Sequence, residues 1–478
     1  MTEVDPGPGG HPSPAAGIGR RVRDRWRRPA GSPQPSLDAM AAHAEKSDRL
    51  RLIEARPPKP VSASDRAYVL RVLQVTLILV VAGQRIMVPV GPVALPLLAA
   101  FGGIVLARLR GGITYNRVRS ELYIAAAAAI VTAAWFTTWR GDDLSLNSLL
   151  LLLVIYLPWV FCVAKPFLDL AVPLLRTFVL LMVAMSVVGV TQMVAQLLLG
   201  WKYTDYLAQV LPLTWLNQGY NTTNQISYTN TVVKANAFVF LEPSFLCQFC
   251  ALALIVSLLV RAPAWQPLIL GIGMASTLSG TGILLLILGI GLLVVLVPNR
   301  IRPSYLIAGI IGLAVLFSTP AANILLDRRA ETSQQGSSGY LRFVQPYDEV
   351  SRGLAEDPIR YVIGAGAGAS DRLLESDRGG GEAVVYTVPA KMAFEYGLVA
   401  AMLFILFLLL SIYRGPPLAV LPTTVTFMIF FLSGSLLQPH TVFTAWLLTS
   451  IWGPPVTVGV SDALAGLRRS TPTPLPTR

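Results

Sequence analysis

The chain has 478 residues, of which 54% are hydrophobic and only 13% are charged. A soluble domain carries about 25% charged residues, and apolar runs long enough to cross a bilayer recur between residues 67 and 460. This composition excludes an ordinary soluble protein. The formal net charge of +12 does not indicate nucleic-acid binding, because the basic residues lie in the terminal segments and in short loops, as the positive-inside pattern of membrane proteins requires.

The apolar runs predict an all-α polytopic membrane protein with about twelve transmembrane helices. Residues 1–66 are predicted to be a disordered basic cytoplasmic tail, because they are rich in Pro, Gly, Ala and Arg and have no apolar periodicity. Transmembrane helices 1–9 are expected within 67–318 and helices 10–12 within 389–460, before a cytoplasmic tail at 461–478. The predicted spans are 67–88, 89–107, 121–139, 146–163, 174–200, 240–260, 266–279, 281–298, 303–319, 389–413, 417–437 and 441–460.

The distribution of arginine predicts that both termini are cytoplasmic. With the N-terminus inside, the basic loop at 108–119 and the basic residues near 300 and 414 all fall on the inner side. The turn that holds Asp142 and Asp143 then falls outside. The short pair of runs at 266–298 also fits a re-entrant hairpin.

Two long segments are predicted on the outer side. Residues 201–239 are rich in aromatic and amide side chains, and residues 319–388 form a large extracytoplasmic loop. Within that loop, the stretch 338–358 has apolar residues at helical spacing and predicts an amphipathic helix: Leu341, Val344, Tyr347, Val350 and Leu354. The chain then turns through GAGAG at 364–368. We expect an ordered lid over the membrane.

The three cysteines, Cys162, Cys247 and Cys250, lie in or at the end of apolar runs. Helix packing is the favoured interpretation, since a C-x-x-C pair without further ligands is weak support for a metal site. The sequence contains no nucleotide-binding or zinc-binding motif. No metal ion and no cofactor are therefore expected.

Glu242 is the first candidate for chemistry. It precedes Pro243 and Ser244 at the predicted outer mouth of a span, and proline favours the first turn of a helix. A partly desolvated carboxylate at this depth suits a general base. The alternative is a carboxylate that stabilises the start of the helix, and the residue type alone does not decide between them.

Arg342 is the second candidate, because Tyr340, Leu341 and Phe343 surround it on the amphipathic helix of the external loop. A guanidinium held among apolar groups above a membrane suits a phosphate or diphosphate. Most other arginines of the loop, among them Arg352, are expected to form surface salt bridges. A salt-bridge role is the alternative for Arg342 as well.

Two further ionisable residues lie near predicted span ends. Lys391 has Glu395 one turn later, which allows an i, i+4 ion pair, and its alternative is to reach the membrane interface. His440, in LLQPHTVF, has a pKa suited to proton transfer, although a lone histidine is more often structural.

The order of four motifs resembles the O-antigen ligase and O-antigen polymerase superfamily over residues 67–456. FLEPSFL (240–246) looks like the Glu-Pro-Ser motif of polymerase-like members, and STLSGTG (276–282) looks like the Ser-Arg-x-Gly stretch. SSGYLRFVQPYDEVSRGLAEDPIRYVIGAGAG (337–368) resembles the external-loop signature, and AKMAFEYGLVAAMLF (390–404) resembles the helix that returns to the membrane. The resemblance implies a GT-C-like architecture.

The resemblance also implies an activity: transfer of a glycan from a polyprenyl-diphosphate-linked oligosaccharide to a glycan, lipid or protein acceptor, without a metal. Glu242 matches the family glutamate and Arg342 the external-loop arginine. Two positions depart from the family: Gly280 replaces the arginine of Ser-Arg-x-Gly, and the ligase histidine is missing near Tyr386 and Thr387. The missing histidine favours a polymerase over a ligase, and we expect Lys234, Lys391 or Arg85 to replace the missing arginine.

We therefore expect a metal-independent glycosyltransferase of the bacterial cytoplasmic membrane that polymerises lipid-linked repeats into a surface polysaccharide or exopolysaccharide. Its partners would be the lipid-linked donor, a glycan acceptor, membrane lipids and other polysaccharide-export components. Glu242 and Arg342 are the predicted catalytic residues. The predicted substrate-binding residues are Lys234, Asn236, Ser244, Tyr340, Arg352, Lys391 and His440. The alternatives are an O-antigen-type ligase, a flippase for lipid-linked oligosaccharides and an envelope scaffold; a flippase usually places charged residues inside its spans, and here charge is sparse there.

Overall fold

The computed structural model describes residues 61–88, 93–226, 231–301, 303–305, 340–374, 386–414, 420–432, 434 and 436–453. The predicted tail at 1–60, most of the span at 303–319, the first part of the external loop and the C-terminal tail lie outside the described residues.

The described chain is mainly helical. Its first nine helices are α1 (Ala63–Ala82), α2 (Leu95–Leu109), α3 (Arg117–Trp139), α4 (Leu146–Tyr156), α5 (Ala171–Leu198), α6 (Tyr206–Val210), α7 (Pro243–Leu259), α8 (Trp265–Ser276) and α9 (Gly280–Leu296). The later helices are α10 (Tyr340–Phe343), α11 (Gln345–Glu356), α12 (Arg360–Ile363), α13 (Val388–Tyr413), α14 (Val420–Phe427) and α15 (Pro439–Leu448). Two small antiparallel sheets pair β1 (Met87–Val88) with β2 (Val93–Ala94) and β3 (Ile113–Tyr115) with β4 (Phe161–Val163).

Three of the described helical segments are long and apolar enough to cross a membrane: Arg117–Trp139, Lys165–Leu198 and Val388–Tyr413. Five shorter apolar helical segments accompany them: Leu95–Leu109, Leu146–Val160, Pro243–Leu259, Gly280–Leu296 and Val420–Leu432. This mainly helical architecture is compatible with a helical membrane protein.

The predicted span at 67–88 is helical only in its first part. Helix α1 begins at Ala63, where the Ser62 hydroxyl accepts a hydrogen bond from the Asp65 amide, and ends before Gly83. The next residues form the β1–β2 pair rather than a helix. Gly83 follows the last helical residue, and its amide donates to the Leu79 carbonyl at 3.0 Å, so the helix ends at a glycine cap inside the predicted span.

The predicted span at 146–163 also ends early. Helix α4 stops at Tyr156 and a 3-10 turn follows at Leu157–Val160, because Pro158 cannot donate the next helical hydrogen bond. The chain then pairs as β4 with β3.

Helix α7 lies at the centre of the fold. Every one of its residues except Ser244 is buried, and it packs against α5, α8 and α9. A small residue makes the approach of α9 possible: a Cβ at Gly282 would lie 2.5 Å from the carbonyl oxygen of Cys247. The residue that precedes α7, Glu242, is thereby placed at the end of the most enclosed helix of the described bundle.

The amphipathic stretch of the external loop is two helices instead of the single helix predicted at 338–358. Helix α10 ends at Phe343 and α11 starts at Gln345. Pro346 lies in the first turn of α11 and has no N–H to continue the preceding helix, which explains the break. Val350 and Leu354 are buried against Phe394 of α13, whereas Tyr347 is exposed.

Candidate active site at the start of helix α7

Glu242 lies immediately before α7 with extended backbone geometry (φ −145°, ψ 156°). Its backbone carbonyl accepts a hydrogen bond from the Phe245 amide at 3.2 Å, which opens the helix. Its carboxylate makes no capping bond to the helix; instead, Oε2 accepts a hydrogen bond from the Ser244 hydroxyl at 3.0 Å. The backbone of Glu242 therefore starts the helix, while its half-buried carboxylate bonds to Ser244 and does not cap the helix.

Tyr220 faces this carboxylate. Burial, with a smaller effect of the Glu242 charge, raises the pKa of Tyr220 to about 12, against the effect of a hydrogen bond with Gln438. The Tyr220 ring also packs against Phe245, with ring centroids 6.3 Å apart. Tyr220 and Gln438 come from distant parts of the sequence, so the fold brings Tyr220, its partner Gln438 and the charge of Glu242 together from three chain segments.

His440 reaches the same end of α7 but is enclosed by rings. Its side chain is 2% exposed, it meets Phe245 edge-on at 4.8 Å between ring centroids, and it lies 6.4 Å from Phe249. Its Nε2 has no hydrogen-bond partner among the described residues. The structure therefore places His440, a predicted substrate-binding residue, at the same end of α7 as Glu242. Its surroundings are apolar, and its side chain is buried.

Asn236 is fully engaged by the protein. Its Nδ2 donates to the Tyr203 hydroxyl at 3.3 Å and to the Thr222 carbonyl at 3.2 Å. Its Oδ1 accepts from the Phe238 amide at 3.0 Å, and its own amide donates to Gln192 Oε1 at 3.2 Å. With 0% exposure, Asn236 shapes the turn that leads to Glu242 and has no free polar group for a substrate in this arrangement.

The turn after Asn236 is strained. Ala237 and Phe238 both have left-handed backbone geometry, with φ of 49° and 61°. Such geometry costs about 1–3 kcal/mol per residue for side chains with a Cβ and persists where surrounding contacts impose it, often at functional sites. Here the contacts are the Asn236 side chain and Arg85, which donates to the Phe238 carbonyl at 2.7 Å.

The residues that directly follow FLEPSFL contact the motif STLSGTG. Cys247 Sγ donates to the Ser279 carbonyl at 3.2 Å, and Gln248 Nε2 donates to Thr281 Oγ1 at 3.1 Å. Gln248 is 0% exposed, and its Oε1 has no partner among the described residues. Gly280, where the family has arginine, begins α9 at this junction. The fold thus brings together two chain segments that are separated in the sequence. The buried amide of Gln248 lies beside Gly280 at this contact.

Two of the cations expected to replace that arginine, Arg85 and Lys234, lie in different surroundings. Arg85 is 3% exposed and forms two hydrogen bonds with the Asp205 carboxylate, at 2.5 and 3.0 Å. Burial opposes the charge of Asp205, but the hydrogen bonds and charge of Arg85 prevail and lower the Asp205 pKa. Lys234 is half-buried, and its backbone amide donates to the Asn224 carbonyl at 2.8 Å. Arg85 is a structural cation, whereas Lys234 lies in the segment that leads to Glu242.

The external-loop candidates form a separate group. The backbone of Arg342 lies in α10, and its side chain lies outside the described residues. Tyr340 is half-buried and Arg352 is exposed on α11. The structure therefore leaves the phosphate-binding role of Arg342 as a prediction.

Lys391 bridges two carboxylates. Its Nζ lies 3.2 Å from Asp371 Oδ1 and 3.4 Å from Glu395 Oε1, the i, i+4 partner that the sequence indicated. Ser370 donates to the same Glu395 oxygen at 2.6 Å. Glu395 has 0% side-chain exposure, so Lys391 neutralises a buried charge. In this network Lys391 pairs with carboxylates of the protein, and its expected role in place of the arginine of the resembled family stays a prediction.

Gln192, Asp205 and Gln248 are the site residues that the sequence did not single out. Each is a common polar residue in an ordinary apolar or amide-rich context, and its importance comes from partners far away in the chain. The one available signal was the presence of glutamine inside apolar runs, since buried polar groups need partners.

Comparisons with protein-family models, with curated proteins and with solved structures gave no match. At the start of α7, the half-buried carboxylate of Glu242 and the Ser244 hydroxyl, with the Tyr220 phenol under the charge of Glu242, are groups that can accept a proton from a hydroxyl and orient it.

Proposed function

We propose that the protein is a membrane glycosyltransferase that polymerises polyprenyl-diphosphate-linked oligosaccharide repeats on the outer face of the bacterial cytoplasmic membrane. The observation that carries this proposal is the position of Glu242: a half-buried carboxylate at the start of the central helix, free of a capping bond and hydrogen-bonded to the Ser244 hydroxyl. The resemblance of FLEPSFL and STLSGTG to the ligase and polymerase superfamily supplies the reaction class.

In the proposed topology, about twelve helices span the membrane and both termini are cytoplasmic. The start of α7 then lies at the outer face, together with the segment 201–239 and the external loop. The arginine-rich short loops support this orientation.

The reaction breaks the bond between the anomeric carbon of the donor sugar and the diphosphate oxygen. The acceptor hydroxyl forms the new glycosidic bond and gives its proton to the Glu242 carboxylate, and the bond electrons leave with the diphosphate. Glu242 is suited to this role because a positioned carboxylate within hydrogen-bond reach contributes about 10²–10⁴-fold in rate. Arg342 is proposed to offset the negative charge that grows on the leaving diphosphate.

Tyr220 is proposed to orient the acceptor. Its high pKa keeps the phenol protonated at physiological pH, so it can donate a hydrogen bond to a sugar oxygen or to Glu242. No metal ion takes part in the proposed step.

The test is a glycan profile of cells that lack the protein or carry wild type, Glu242→Gln, Arg342→Ala or the control Glu356→Gln, which changes an exposed carboxylate of α11. The proposal predicts loss of long polymer and accumulation of a single lipid-linked repeat in both site variants at wild-type membrane levels. Full-length polymer left on its lipid carrier would support the ligase alternative. An unchanged profile in both site variants, with a defect in cells that lack the protein, would overturn the proposal in favour of a flippase or scaffold.

A further inference from the structure

A small cavity of about 150 Å³ lies where α5, the end of α7 and the start of α8 meet. The three helices pack against one another. The cavity is far from the candidate active site, because the 17 residues of α7 separate the two and span about 25 Å along the helix axis. The residues that line the cavity include Arg176, Leu180, Val260, Arg261, Pro263 and Gln266.

Two arginines border the cavity without a carboxylate partner among the described residues. Arg176 lies on α5 and Arg261 in the turn between α7 and α8, and both side chains are exposed. The ion pairs found in the described part of the chain include neither of them. Arg261 Nη2 donates to the Asn299 carbonyl at 3.1 Å, and a guanidinium has further N–H donors. The border of the cavity is therefore positively charged and keeps donors for a ligand.

Gln266 adds a buried polar group to the same cavity. Its side chain is 8% exposed, and its backbone amide donates to the Pro263 carbonyl at 3.0 Å. Its side-chain carboxamide has no hydrogen-bond partner among the residues that the structure describes. Because buried polar groups in proteins are nearly always paired, this carboxamide indicates a polar partner that the described chain does not supply.

The surroundings of the cavity are those of a membrane boundary. Leu180 lies one turn beyond Arg176 on the same face of α5 and is 52% exposed. Helix α5 belongs to the candidate span Lys165–Leu198. Trp265, at the start of α8, is 50% exposed, and exposed tryptophan is typical of membrane interfaces. An anion held by Arg176 therefore has an apolar surface next to it, which suits a phosphate that carries acyl chains.

We propose that this cavity binds the phosphate of an anionic phospholipid. Arg176 and Arg261 contact the phosphate oxygens, which the guanidinium fork matches. Gln266 donates a further hydrogen bond, and an acyl chain follows Leu180. In the proposed topology this lipid belongs to the inner leaflet, where basic pockets between membrane helices suit anionic head groups.

The inference goes beyond the proposed glycosyl transfer and does not depend on it. The cavity and Glu242 lie at opposite ends of α7. A bound lipid would join α5 to the turn between α7 and α8, and it would stabilise the bundle at the end away from Glu242.

The first test titrates the purified full-length protein in detergent with phosphatidylglycerol and measures bound lipid by native mass spectrometry. Phosphatidylcholine and inorganic phosphate are titrated in parallel. We expect phosphatidylglycerol to bind most tightly. Equal binding of phosphatidylcholine would overturn a site for net negative charge. Displacement of phosphatidylglycerol by an equal concentration of inorganic phosphate would overturn the lipid as the source of the phosphate.

Two double variants locate the site. Arg176→Gln with Arg261→Gln removes both cavity arginines, whereas Arg71→Gln with Arg117→Gln removes two exposed arginines outside the cavity lining. At about one tenfold step per 1.4 kcal/mol and about 1 kcal/mol per arginine, we expect the Kd for phosphatidylglycerol to rise about 30-fold in the cavity variant. The control should bind as wild type does. An unchanged Kd in the folded cavity variant, or an equal loss in both variants, would overturn the inference.

Photolabelling of the wild type keeps the inference testable if the cavity variant does not fold. The protein is placed in nanodiscs with a photoreactive phosphatidylglycerol, and labelled peptides are identified by mass spectrometry. We expect label on peptides that contain residues 176–180 or 260–266. Label elsewhere only would overturn the inference.

Discussion

Gly364 and Gly397 meet backbone to backbone where the external loop joins α13. A Cβ at Gly397 would lie 3.0 Å from the Gly364 amide nitrogen and would overlap the Val362 carbonyl oxygen, and a Cβ at Gly364 would overlap the Glu395 carbonyl oxygen. Both glycines have φ of 76°. The amides of Ala365 and Gly366 donate to the carbonyls of Phe394 and Glu395 at 2.8 and 3.0 Å. Helix α13 is kinked at Gly397. The GAGAG turn packs against this kink and bonds to it, which attaches the loop to the helix bundle.

Gly397→Ala is expected to destabilise the protein by about 1–3 kcal/mol, because it combines left-handed geometry with a backbone clash. Gly291→Ala in α9 is the control: no atom lies within 4 Å of the added Cβ, and alanine favours a helix by about 0.5–1 kcal/mol over glycine. Thermal unfolding in detergent and proteolysis of the external loop measure both effects. Equal stability of the two variants would contradict a fixed loop.

The Arg85–Asp205 pair is expected to stabilise the turn before Glu242. The folded pKa of Asp205 lies below its ordinary value, which is about 3.9 for aspartate. The stabilisation is therefore complete above that pH and is lost as the pH falls through the lower folded pKa. Asp205→Asn should unfold more easily at pH 7 and should lack this acid-dependent loss of stability.

The control for that pair is Glu121→Gln, which removes the exposed i, i+4 pair with Arg117 and should change stability by only about 0.3–0.5 kcal/mol. Thermal unfolding between pH 3 and 7 distinguishes the two pairs. An Asp205→Asn variant that follows the wild-type pH dependence would show that Arg85 has no such role.

Lys391→Met is expected to lower the amount of folded protein. The change leaves the buried Glu395 beside Asp371 without a cation, and breaking a buried ion pair costs about 3–5 kcal/mol. Lys391→Arg should restore folding. Activity per folded molecule separates this structural role from substrate binding: a fully folded Lys391→Met variant with lost activity would support substrate binding instead.

Arg342→Ala is expected to remove polymerisation at wild-type protein levels, because loss of a group that stabilises transition-state charge costs about 10²–10³-fold in rate. Arg342→Lys should recover only part of the rate, since an ammonium lacks the guanidinium fork. Arg117→Ala, on an exposed arginine of α3, is the control. Polymer length on gels measures the outcome, and wild-type length in Arg342→Ala would remove this residue from the mechanism.

The sequence predicted the start of one central helix and one close ion pair. Pro243 correctly marked the start of α7, and Lys391 with Glu395 formed the pair that the spacing suggested. The break before Pro346 and the short α4 show that proline inside a predicted helix decided the structure where apolar periodicity did not. Both breaks were accessible from the sequence.

The tertiary neighbours of the site were not accessible from the sequence. Tyr220 comes under the charge of Glu242 and bonds to Gln438 only through tertiary packing, and the engagement of Arg85 by Asp205 depends on a contact across a long sequence separation. Local rules describe periodicity and caps, but they do not specify which distant polar groups a fold brings together. Single buried glutamines such as Gln192 and Gln248 became informative only once their partners were known.

The central claim is that Glu242 accepts the proton of the acceptor hydroxyl. The most direct measurement is polymerisation by purified protein in liposomes supplied with a polyprenyl-diphosphate-linked repeat, comparing wild type, Glu242→Gln, Glu242→Asp and the control Glu121→Gln at equal folded amounts. We predict a rate loss of about 10²–10⁴-fold in Glu242→Gln, partial activity in Glu242→Asp and full activity in the control. A wild-type rate in Glu242→Gln would contradict the account.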